Sequence, residues 1–272
     1  MKTVQIKSHE FVVESTRLCF HPDESFTQAF DVNSIASTDL VSAALVYVRA
    51  IEWAWLRWHL DHRFEPIKEN LVAVVQRTVK AMKTGKYPLG EDDDRGLHDV
   101  TLMYCAILSG DVTAMNSAAE QVKFAVPKST KYQHDAAVAG ILASRVLGDP
   151  RQERAQFELE QQRKANGVHP YPSKNLLKAF IERDYALLQE EFDKAVKIYS
   201  SDKNPTRSAR VSASQPVVVQ ETDDLIIIDT MQIHPHFRWP YVQAAFAKLS
   251  MLDGASILTD DFWFPLAFVK SF

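Results

Sequence analysis

Two histidine pairs carry the most recognisable chemistry in this chain. His59 and His62 stand three apart in an apolar stretch, and His234 and His236 stand two apart shortly before Pro240. With Glu52 or Asp229 they would supply the nitrogen and oxygen ligands of a transition-metal site between helices. The spacing matches no His-Glu-x-x-His pattern, however, and histidines beside tryptophans commonly just hydrogen-bond in or near a core. No bound metal is therefore expected. Arg49 and Glu52, also three apart, are placed to pair along one helix face, which is a structural role. Gly-x-Ser-x-Gly, Walker, Gly-x-Gly-x-x-Gly and Cys-x-x-Cys sequences are all missing, so no catalytic or cofactor-binding residue is assigned and no cofactor is expected.

The remaining charged candidates are acidic. Glu91, Asp92, Asp93 and Asp94 are consecutive in a polar stretch, 84–96, read as a loop before a helix whose positive end they complement. Glu221, Asp223, Asp224, Asp260 and Asp261 form a second, more dispersed set. Solvated loops and caps explain either set; a basic protein partner would also fit them. Trp239, Phe262, Trp263 and Phe264 could stack on a ligand, but such residues more often anchor a terminal segment onto the core.

Positioning any of these residues falls to helices. Only 8 glycines among 272 residues, with abundant Ala, Leu, Gln, Glu and Lys, favour helix over sheet. Residues 39–62 read as one long helix, apolar on nearly every side, with Ser42, Arg49, Glu52, His59 and Arg63 along a narrow stripe. It should be wrapped by other elements, burying Val48, Ile51, Trp53, Trp55 and Leu56. Its charges interrupt the apolar run well short of a membrane span. Pro66 opens a second helix to about residue 83.

Then the punctuation repeats. Gly110 closes helix 97–109 and Asp111 caps helix 112–124; Gly148 closes helix 132–147 and Asp149 caps helix 151–165. The two windows are offset by 38 residues, and Asp184 marks a weaker copy 35 further on, where the lack of glycine suggests one long helix, 175–200. Helix pairs at such periods resemble tetratricopeptide-type arrays in geometry, without that family's signature residues. The expected architecture is a single mainly α domain over 1–272. It comprises an N-terminal segment 1–35, a helical array 36–200 around the central apolar helix, a surface loop 201–214 and a C-terminal subdomain 215–272. Residues 11–13 could form a short strand, and 216–228 could form a small β-hairpin. Pro240 opens helix 241–252, ended by Gly254.

A net charge of −4 argues against a general nucleic-acid binder, which needs a basic face. Cys19 and Cys105 are too few for a disulfide framework and read as reduced thiols of a cytoplasmic protein. The opening residues lack the apolar stretch of a signal peptide.

In the C-terminal third, the run LIIID (225–229), the small-residue helix PYVQAAFAKLSMLDG (240–254) and TDDFWFP (259–265) resemble the immunity protein 49 family of bacterial polymorphic toxin systems. The likeness extends loosely over 36–270, and its distinctive residues are Asp229, Gly254 and Phe262 to Pro265. The resemblance implies a cytoplasmic, all-α immunity protein that binds and neutralises a cognate secreted toxin, such as a nuclease or deaminase, by occluding its active site. It implies no enzyme activity, no direct nucleic-acid or membrane partner, and no mapped binding residue. Two other classes are compatible with the residues: a helical-repeat adaptor, and an all-α metal-dependent hydrolase.

Overall fold

A computed structural model describes residues 3–7, 11–13, 18–20, 47–48, 50–51, 54–55, 58, 63–84, 92–125, 133–162, 172–200, 219–221, 225–229, 241–260, 264 and 266–271. The chain is mainly helical. In the central helix the described helical positions are 47, 48, 50, 51, 54, 55 and 58. Tyr47, Ala50, Ile51, Ala54 and Trp55 are buried, while Val48 and Trp58 are half-buried. That is the i, i+3, i+4, i+7, i+8 stripe of a helix facing a core. Trp53 and Leu56 lie outside the described residues.

Helix α1, Glu65–Lys83, carries Pro66 in its first turn, where a missing N–H is harmless. It turns Ile67, Leu71, Val74, Val75, Val79 and Met82 inward. Helix α2, Asp92–Ser109, begins five residues before the expected start. Asp92, Asp93 and Asp94 therefore form its first turn instead of a loop, a place where negative charge offsets the helix's positive end. Every residue from His98 to Ser109 is buried, and α1 packs on α2 together with three helices described next. These are α3 (Val112–Ala119), α4 (Gln133–Leu147) and α8 (Tyr241–Leu252). The run 98–109 of α2 is thus enclosed, as is 243–250 of α8, and the buried positions of α2 include the polar His98, Asp99, Thr101 and Ser109.

Helix α3 stops at Ala119, short of the expected 124. The cause is α2. Arg95 Nη2 donates to the Gln121 carbonyl at 2.6 Å, and Asp99 Oδ2 accepts from Lys123 N at 2.8 Å, holding the chain off the helical path.

Helices α4 and α5 (Pro150–Gln162) form one hairpin, and α6 (Lys174–Glu182) and α7 (Tyr185–Ser200) form another. The expected single helix 175–200 is broken. Arg183 takes the left-handed conformation, φ 56°, that Gly148 takes at φ 70°. Both turns share one hydrogen-bond pattern: Asp149 N to Ser144 O at 2.8 Å, and Asp184 N to Ala179 O at 2.9 Å. Each aspartate then caps the next helix, Asp149 Oδ1 accepting from Gln152 N and Asp184 Oδ1 from Leu187 N. The third helix pair is therefore punctuated like the others, with arginine in the position that usually signals a turn by being glycine.

Strands are few. Val219–Glu221 (β4) pairs antiparallel with Leu225–Asp229 (β5), realising the hairpin with a shorter first strand. Thr3–Lys7 (β1) adds to β5 in parallel, giving the order β1-β5-β4, so the N-terminal segment joins the C-terminal third. Phe11–Val13 (β2) pairs with Leu18–Phe20 (β3). A last short helix, α9 (Leu266–Lys270), packs on α8.

Candidate functional site

The structure does not gather the acidic candidates into one described site. Asp92, Asp93 and Asp94 start α2, and Glu221 ends β4. Asp260 acts locally, its Oδ1 accepting from Leu266 N at 2.9 Å and so capping α9. Glu91, Asp223, Asp224 and Asp261 lie outside the described residues. So do the metal candidates Glu52, His59, His62, His234 and His236; Asp229 ends β5. Among the described residues no group of three or more His, Cys, Asp or Glu could hold a metal ion. Phe264 is buried and stacked on Phe192, centroids 6.0 Å apart, which makes it a core anchor.

Three polar assemblies carry no clear mark in the sequence. The first is a relay across the central helix, α1 and α2. His98 Nδ1 meets Asp99 Oδ1 at 2.9 Å, and His98 Nε2 meets the Tyr47 hydroxyl at 3.0 Å. Tyr47 in turn donates to Thr78 Oγ1 at 3.2 Å, and Arg95 Nε donates to Asp99 at 3.1 Å. Hydroxyl, imidazole and carboxylate in series is an arrangement that activates nucleophiles when it opens onto a cleft. Here Tyr47 and His98 have no exposed surface and Asp99 has 1%. The relay's geometry instead joins three helices and the end of α3. The one sequence trace of it is the i, i+4 spacing of Arg95 and Asp99.

The second assembly centres on Arg145, near the end of α4. Its Nε donates to Glu153 Oε1 at 2.6 Å, Nη2 to the Phe180 carbonyl at 3.0 Å, and Nη1 to Asp253. One guanidinium thus ties together α4, α5, α6 and the turn after α8. Burial pushes the Glu153 carboxyl up from its ordinary range, against the pull of Arg145.

The third is Lys248 on α8, fully buried. Its ammonium donates to Leu108 O at 3.0 Å and Ser271 O at 2.6 Å, carbonyls at the ends of α2 and α9. It also lies 4.6 Å from the centre of the Phe64 ring. Burial, assisted by the nearby Lys68 charge, lowers its pKa to about 7. A smaller contact lies at the far ends of α4 and α5, where His134 Nδ1 is 2.9 Å from Glu160 Oε1. No hydrogen bond is formed there, so the contact is a close approach by distance alone.

No protein-family model, curated protein or solved structure matches this chain. What remains visible is surface. Among the described residues the large apolar side chains standing in solvent are Val112 at 62%, Leu147 at 45%, Leu252 at 50% and Leu258 at 74% exposure. All four sit at helix ends or in a connecting segment. Leu147 and Leu252 flank the turns that Arg145 joins through Asp253, and Leu258 N donates to Gln189 of α7 at 2.9 Å. No described helix is long and apolar enough to cross a membrane.

Proposed function

We propose that this protein is a cytoplasmic immunity protein that binds a secreted bacterial toxin domain and blocks its active site or substrate groove, and that it is not itself an enzyme. The observation that carries the reading is a contrast. His98 with Asp99, Glu153 with Arg145, and Lys248, groups with chemistry used in catalysis, are engaged by internal partners, while large apolar side chains face solvent near the Arg145 turns. The reading takes these exposed side chains as part of a contact surface for the partner. The resemblance of 225–229, 240–254 and 259–265 to immunity proteins supplies the class of partner.

For a toxin that attacks nucleic acid, the basic groove would be met by carboxylates imitating phosphates. Glu91, Asp92, Asp93 and Asp94 are the first choice for that contact, with Glu221, Asp223, Asp224, Asp260 and Asp261 second. An apolar anchor would hold more of the affinity than any one charge. The test is co-purification with the product of the gene immediately upstream. Stable association supports the reading, and an upstream product that does not bind contradicts it. Reversing the charges at 91–94 should slow association; an unchanged rate removes only the phosphate-mimic mechanism.

A helical-repeat adaptor is the second reading, favoured by the three Asp-capped hairpins. It requires no toxin gene beside its own.

A further inference from the structure

We draw no further inference here: the strongest candidate, the apolar side chains Leu147, Leu252 and Leu258 exposed around the turns that Arg145 ties together, carries nothing beyond the proposal above because nothing in the structure shows what covers it.

Discussion

The guanidinium of Arg145 lies 4.2 Å from the centre of the Phe180 ring and donates to the carbonyl of the same residue at 3.0 Å. A single residue of α6 thereby meets both the face and the edge of the arginine fork, while Glu153 and Asp253 take its other donors. Truncating Arg145 would strand the Glu153 carboxyl, 8% exposed, without its cation. Arg145→Ala is expected to cost about 3–5 kcal/mol in urea unfolding, the range for breaking a buried pair. Glu153→Gln in the same background should recover part of that loss. A change below about 1 kcal/mol for Arg145→Ala would show that the junction contributes little.

Lys248 gives the fold a pH dependence of definite sign. Its pKa is about 7 in the folded chain and near the ordinary 10.5 when unfolded. Between those values the unfolded state holds the extra proton, so stability rises with pH across this window and the Lys248 contribution is flat below it. The slope is at most about 1.4 kcal/mol per pH unit. Urea midpoints measured at neutral, mildly alkaline and strongly alkaline pH should climb for the native chain relative to Lys248→Met. Parallel curves for the two proteins would contradict the assignment.

Gly140 faces Gln156 closely enough that a Cβ would stand 2.7 Å from its Oε1 and 2.8 Å from its Cγ. Gln156 has little room to retreat, because it accepts from Ala125 N at 3.0 Å and donates to Ala125 O at 3.3 Å. In an open helix Gly140→Ala would gain up to about 1 kcal/mol. Here it should lose about 1–3 kcal/mol through overpacking. In a Gln156→Ala background the same change is expected to become neutral or stabilising. A loss of equal size in both backgrounds would place the clash elsewhere.

At the third hairpin the backbone strain falls on an exposed arginine. Arg183→Gly should stabilise the protein by up to about 1 kcal/mol, since glycine takes φ 56° without the Cβ clash. Gly148→Ala, at φ 70° and in open space, should destabilise by a similar amount. Melting temperatures moving the other way would mean that the turn is not held as described.

The same turn shows where the sequence was legible. Gly110, Gly148 and Gly254 announce left-handed residues, and the three hairpin aspartates announce caps, because local chemistry selects those types. Arg183 gives no such signal, so α6 and α7 read as one helix. The start of α2 is not legible because four acids in a row read as loop, whereas Asp92, Asp93 and Asp94 occupy the helix's first turn. Pro66, Trp55 and the helix Tyr241–Leu252 were readable from periodicity and punctuation. Arg145 with Asp253, 108 residues apart, and Lys248 with Leu108, 140 apart, were not, since nothing local marks a long-range polar contact. The acidic candidates stood out by composition, yet Asp260, whose side chain is described, turns out to cap a helix.

The most direct measurement is a growth assay. The gene immediately upstream is induced in a sensitive host with and without this protein. Immunity requires that the upstream product halts growth alone and that co-expression restores it. A harmless product, or a toxic one whose effect this protein does not relieve, would contradict the account.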